Sequence, residues 1–259
     1  MIVAGIINKG RPVSYVRDII DSVNSQTITP DKIIVSTNKE VYTECEEHDA
    51  ITVISVNDKN VSSAKNSVIK KAMELGATKL FLLEDDIVIH KDETFEKYLA
   101  VLEVLDLGMM SAGYTNRSNY VLTAPSPRIK FDVTGLTDKF DAVVTNRHEV
   151  ADFILIDLEK NKLSFNEDLD YFEFSEYVYQ CWKYSYIPGL NQFFDIPNSW
   201  DYVGPRPDCP SERANDVKAI SADQKKMTDS INNGWVIEND VKIITDYIIF
   251  KLKENKEQV

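Results

Sequence analysis

Cysteine, histidine and positive charge are all in short supply in this chain, and a long apolar run is missing. There are three cysteines among 259 residues, Cys45, Cys181 and Cys209. They are scattered, odd in number and form no CxxC pair, which excludes a disulfide frame and a zinc site and fits reduced thiols. The three histidines, His48, His90 and His148, lie far apart. Lysine and arginine total 29 against 42 aspartates and glutamates, a net charge of −13. Nothing therefore suggests a broad basic face that would track DNA or an anionic membrane. No stretch approaches the roughly 20 apolar residues that a membrane span needs. The first apolar run, Met1–Ile7, is too short for a signal peptide and meets Asn8-Lys9-Gly10-Arg11 at once. A soluble, cytoplasmic protein is the expectation.

What is present is ordinary for a globular α/β chain, with 43% hydrophobic and 27% charged residues. The near-continuous apolar run Ile2–Ile7 reads as a strand, and Val13–Ser25 carries a helical stripe of Val13, Val16, Ile19, Ile20 and Val23. Short strands follow at Ile33–Ser36 and Ile51–Val56. Asn60-Val61-Ser62-Ser63 opens a helix that Gly76 is placed to stop. A further helix spans about Asp92–Leu105, and Gly108–Gly113 returns as a strand. Strands alternating with helices predict a doubly wound, mostly parallel sheet flanked by helices. After that the pattern loosens. Ser118–Val144 suggests hairpins or a long loop, Phe153–Leu158 a buried strand, and a helix begins near Glu173. Asn198–Asn215, with Pro205, Pro207 and Pro210, reads as a mobile loop. Helices close the chain, the last with Val241, Ile244, Tyr247, Ile248 and Leu252 on its apolar face. We expect one domain over residues 1–259: a ligand-binding half at 1–113, a less regular half at 114–220 that includes the loop at 198–215, and C-terminal helices at 221–259.

The stretch Lys79–His90, KLFLLEDDIVIH, concentrates the chemistry. Its apolar run Leu80–Leu83 reads as a buried strand, and Glu84, Asp85 and Asp86 would then stand at the carboxyl edge of the sheet. Three adjacent carboxylates repel one another unless a cation or a set of donors neutralises them. Hard oxygen ligands suit Mg²⁺ or Mn²⁺, which commonly hold substrate phosphates. Gly5-Ile6-Ile7-Asn8-Lys9-Gly10-Arg11-Pro12 has the glycine spacing of a P-loop, but Arg11 replaces the lysine and Pro12 the hydroxyl. Pro12 also lacks a backbone N–H, so a nucleotide hydrolase is a poor fit.

The same landmarks resemble the GT-A glycosyltransferases, in particular the family-two-like inverting group that uses nucleotide sugars. The residues that carry the resemblance are IINKGRP, then Asp21-Ser22-Val23-Asn24-Ser25-Gln26-Thr27, then DKIIVSTN. Ser63-Ala64-Lys65-Asn66 is similar to that family's "ARN" element, and Glu84-Asp85-Asp86 to its DxD motif. The resemblance covers roughly the first 110 residues and implies a nucleotide-diphosphate sugar donor, a UDP-sugar first, with Mn²⁺ or Mg²⁺ as cofactor. It places base and ribose at Ile7, Asn8, Thr37 and Asn38, with Arg11, Lys65 and Asn66 near the nucleotide or its diphosphate. Asp86 is implied as the main metal ligand, and Glu84 and Asp85 serve the metal's waters or the ribose.

An inverting transfer needs a carboxylate that deprotonates the acceptor hydroxyl. In the resemblance Glu176 is the leading candidate, Tyr177 stands where that family usually has its base, and Glu173, Asp170 and Asp168 are alternatives. The family's late histidine ligand has no counterpart, and Asp201 is the oxygen ligand implied in its place. Arg206 and Arg213 lie in the expected loop. The acceptor is a hydroxyl compound, a glycan by default or a modified nucleic-acid base. Aromatics such as Tyr171, Phe174, Tyr177 and Trp182 would supply a stacking platform or simply core. Rival functions are a nucleotidyltransferase making sugar nucleotides, disfavoured by the lack of a Gly-rich N-terminal loop, and a catalytically silent GT-A-like binding module.

Overall fold

The computed structural model describes residues 1–8, 11–37, 51–55, 60–112, 130–132, 142–145, 152–171, 173–183, 188–193, 202–206, 217–232, 250 and 253–254. Asn38, Asp201, Arg213 and all five residues of the C-terminal helical stripe fall outside these residues. Among the described residues eleven strands and five helices are defined. β1 (Ile2–Ile7), α1 (Val13–Asn24), β2 (Lys32–Thr37), β3 (Ile51–Ser55), α2 (Val61–Glu74) and β4 (Lys79–Glu84) come first. β5 (Ile87–Ile89), α3 (Thr94–Val104), β6 (Met109–Ala112), β7 (Lys130–Asp132), β8 (Ala142–Thr145) and β9 (Phe153–Asp157) follow. The last are α4 (Glu173–Lys183), β10 (Pro188–Phe193), β11 (Val203–Pro205) and α5 (Val217–Asn232).

Nine strands form one sheet in the order β3-β2-β1-β4-β9-β6-β10-β8-β7. The first four are parallel, as the alternating strand–helix pattern demands. β9 then inserts between β4 and β6 and runs antiparallel to both. β10 pairs parallel with β6 and antiparallel with β8. β1, β4 and β9 are buried almost throughout, which is why their sequences read as apolar runs without alternation. α2 packs on β1, β2 and β4, while α1 lies against β1 and β5. Phe81 of β4 stacks on Phe95 of α3 at 3.7 Å between centroids, with Phe153 and Tyr98 tilted against the group.

Local signals act where they were expected. Asn60 caps α2 in a reciprocal box, accepting from the Ser63 N–H at 3.0 Å while Ser63 Oγ accepts from the Asn60 N–H at 3.0 Å. Gly76, at φ 82°, takes the left-handed turn that ends α2. One reading needs correction. A mobile loop over 198–215 does not describe its middle, because β11 pairs antiparallel with β5, Val203 opposite Ile89 and Pro205 opposite Ile87. Tyr202 and Val203 are buried there, so apolar burial and a short ladder outweigh the proline and glycine. β10 was not apparent in the sequence at all. Its proline occupies the first strand position, where no ladder donor is required.

Candidate active site

Parallel pairing brings the carboxyl ends of β1, β2 and β4 together, with Ile7 opposite both Ser36 and Glu84. The chain leaving each strand is then held by its neighbours. The Asn8 N–H donates to the Ser36 carbonyl at 2.8 Å, and the Asp85 N–H to the Ile7 carbonyl at 3.2 Å. The Glu84 N–H donates to the Asp152 carbonyl at 2.8 Å, and the Arg206 N–H to the Asp86 carbonyl at 2.7 Å. The acidic turn is thus fixed in backbone before any side chain is considered.

Two side-chain systems meet on this frame. In the first, Thr37 Oγ1 donates to Asn8 Oδ1 at 2.7 Å, and Asn8 Nδ2 donates to Asp85 Oδ2 at 2.6 Å and to the Arg11 carbonyl at 3.1 Å. The Arg11 guanidinium bridges two carboxylates, through Nη1 to Asp85 and through Nη2 to Asp86 Oδ2 at 3.1 Å. Burial pushes the Asp85 carboxyl up to about 6, against the opposing pull of Arg11 and Asn8. In the second, Lys65 projects from α2 with its side chain 2% exposed. Its Nζ lies 2.7 Å from Glu84 Oε1 and 3.3 Å from Glu173 Oε1. Burial alone would lower the lysine pKa, but Glu84 and Glu173, backed by Asp152, reverse that and hold the ammonium charged.

Carboxylate oxygens of Glu84, Asp86 and Asp152 all lie within 4.8 Å of one another. This donor set is hard, anionic and convergent, the chemistry that Mg²⁺ or Mn²⁺ selects. Among the described residues, five carboxylates (Glu84, Asp85, Asp86, Asp152 and Glu173) meet the two cationic side chains of Arg11 and Lys65 here. A divalent cation would offset that excess, so the residues present fit a metal. Asp85 belongs to the arginine system instead of the three-carboxylate group.

Asp152 was missed in the sequence. Its only signal is an acid directly before the apolar run of β9, and antiparallel pairing carries the start of β9 to the end of β4. Glu173 and Glu176 share one face of α4, three residues apart, and both are buried. Glu176 accepts from Gln180 Nε2 at 2.6 Å, and burial nonetheless raises its carboxyl above the usual range. Tyr177 is fully buried and stacks on Phe165 at 4.2 Å, so it serves the core, as does Phe174. Asn66 is committed elsewhere: its Nδ2 donates to the Phe165 carbonyl at 2.9 Å and its Oδ1 accepts from the Phe165 N–H at 2.7 Å. Asp168 and Asp170 are exposed.

The segment leading into α4 is gripped from both sides. Asn60 Nδ2 donates to the Glu167 carbonyl at 2.8 Å, and Ser62 Oγ to the Leu169 carbonyl at 3.1 Å. From α5, Asp223 Oδ2 accepts from the N–H groups of Asp170 at 2.8 Å and Tyr171 at 3.0 Å.

No protein-family model matches this chain, and no curated protein is similar to it in sequence. Solved structures do match. The first 349 residues of S. aureus TarS, in complex with UDP-GlcNAc, superpose with a TM-score of 0.61 at 12% identity, over 97% of this chain and 72% of that one. Full-length S. aureus TarS gives a TM-score of 0.58 at 12% identity, over 97% of this chain and 43% of its own. The mannosyltransferase PcManGT of Pyrobaculum calidifontis, in complex with GDP-Man and Mn²⁺, aligns at 9% identity over 76% of this chain and 58% of its own, with a TM-score of 0.47. The chain therefore spans less than half of full-length TarS. Among the described residues no helix is long and apolar enough to cross a membrane. The central sheet, parallel in its first half and flanked by helices, is that of the GT-A glycosyltransferases, and this chain has their fold.

Proposed function

We propose that the protein transfers a sugar from a nucleotide-diphosphate sugar, a UDP-sugar first, to a hydroxyl acceptor in a metal-dependent, inverting reaction. The observation that carries this reading is the convergence of Glu84, Asp86 and Asp152 at the carboxyl edge of a GT-A sheet. Binding of UDP-GlcNAc by the TarS fragment supports a donor of the same class. The nucleoside goes to the carboxyl ends of β1 and β2, at Ile7, Asn8 and Thr37, with Asn38 kept as a further contact by resemblance alone. Asp86, Glu84 and Asp152 would hold a divalent cation, which would supply positive charge to the departing nucleoside diphosphate. Asp201 is kept as a further ligand by resemblance alone.

Glu176 takes the proton of the attacking hydroxyl. Burial raises its pKa, which strengthens it as a base, while Glu173 is engaged by Lys65 in an ion pair. Lys65 holds Glu84 in place, and Asn8 and Arg11 orient Asp85. The acceptor, a glycan by default, meets the α4 side of the site.

Thermal denaturation with UDP, GDP, CDP, ADP and TDP, each with and without Mn²⁺, tests the reading. A ligand at about 100 times its dissociation constant adds about 2.7 kcal/mol. One diphosphate should stabilise wild type only with metal, and Asp86→Ala should lose that effect. Stabilisation by a nucleoside triphosphate alone would point to nucleotidyl transfer. No shift with any nucleotide would overturn the proposal.

A further inference from the structure

The Arg11 guanidinium stands where it competes with a metal. One arm reaches Asp85 and the other takes Asp86 Oδ2 at 3.1 Å, and Asp86 is one of the three convergent carboxylates. The backbone around it is already fixed, by the Asp85 N–H on Ile7 and the Arg206 N–H on Asp86. Release of Asp86 therefore requires movement of side chains only. Arg11 is suited to that, since its side chain is 28% exposed while that of Asp85 is 1% exposed. Lys65, the other cation, is buried and tied to two carboxylates.

We infer that Arg11 is an internal counter-ion of the acidic turn, displaced when a divalent cation and a diphosphate arrive together. This rests on the metal-dependent reading above and adds a rule for loading the same site. Metal alone must enter beside a guanidinium that already neutralises Asp85 and Asp86, and the two cations repel each other, so metal alone binds weakly. A diphosphate offers Arg11 two or more anionic oxygens in exchange, a pairing for which the planar guanidinium is well shaped. A nucleoside monophosphate offers fewer and also bridges the metal less well. The site thus selects donors that carry a diphosphate, and metal and diphosphate raise each other's affinity by one common factor.

The test is calorimetric titration of Mn²⁺ into the full chain, alone and with saturating UDP or UMP. Wild type should bind Mn²⁺ weakly alone, more tightly with UDP, and with little gain from UMP. In Arg11→Met the affinity for Mn²⁺ alone should rise about tenfold, the loss of one charge-assisted hydrogen bond to the competing cation. The gain contributed by UDP should fall correspondingly. Arg11→Lys keeps the charge beside buried Asp85 and serves if the methionine variant does not fold; its affinity should rise by about threefold. Unchanged or weaker Mn²⁺ binding in the variants, beside a wild type that binds it, removes this inference alone. If neither wild type nor variants bind Mn²⁺, with or without UDP, the metal-dependent function falls and takes this inference with it.

Discussion

Replacing Lys65 by methionine removes the cation that bridges two buried carboxylates, Glu84 and Glu173, while keeping the volume of the stem. At an effective dielectric constant of about 20, the attraction across 2.7 Å to Glu84 is about 6 kcal/mol and across 3.3 Å to Glu173 about 5 kcal/mol. Burying the ammonium and both carboxylates costs several kcal/mol per ion, so the intact trio contributes little net stability. The variant does not return to that balance, because Glu84 and Glu173 stay buried without the Lys65 ammonium. Loss of one member of a buried ionic group costs about 3–5 kcal/mol. For a chain of this size the melting temperature should fall by roughly 6–10 °C. Urea denaturation at pH 7 would measure the loss. Adding Glu173→Gln removes one stranded charge and should restore about half the loss. A Lys65→Met protein within 1 kcal/mol of wild type would refute the tether.

Three further outcomes are expected. Asp223→Asn should weaken the grip of α5 on the 168–171 segment by about 1–2 kcal/mol at neutral pH. The hydrogen bonds from Lys226 and the two backbone N–H groups outweigh burial and lower the Asp223 pKa, so its contribution is present above the unfolded carboxylate range. The gap between wild type and variant should therefore close as pH falls below about 4 in paired denaturation curves. Gly5→Ala places a Cβ 2.2 Å from Val68 Cγ1 and should cost about 1–3 kcal/mol, with Val68→Ala in the same chain recovering part of it in a thermal melt. Glu176→Gln should lower kcat by about 10²–10⁴-fold while leaving Mn²⁺-dependent stabilisation by the diphosphate unchanged; loss of both would assign Glu176 to binding.

Periodicity and burial made the first half of the chain legible from sequence. Apolar runs of four to six residues, bounded by polar turns and alternating with helical stripes, read as strands of a sheet covered on both faces, and β1, β2, β4 and β6 lie where those runs lie. Asn60 and Gly76 mark the ends of α2 through local backbone chemistry, which needs no distant partner. Glu84, Asp85 and Asp86 stood out because three acids at the end of a buried strand demand a counter-charge. The partners that answer it come from far along the chain and were decided by tertiary structure. Asp152 reaches the cluster only because β9 runs antiparallel to β4, a choice that no run of apolar residues encodes. Arg11 and Lys65 read equally well as surface charge or as ligand contacts until packing turned one across Asp85 and Asp86 and buried the other between Glu84 and Glu173. A short-range pattern sets what a segment can form, whereas the environment of a charge depends on every element that closes over it.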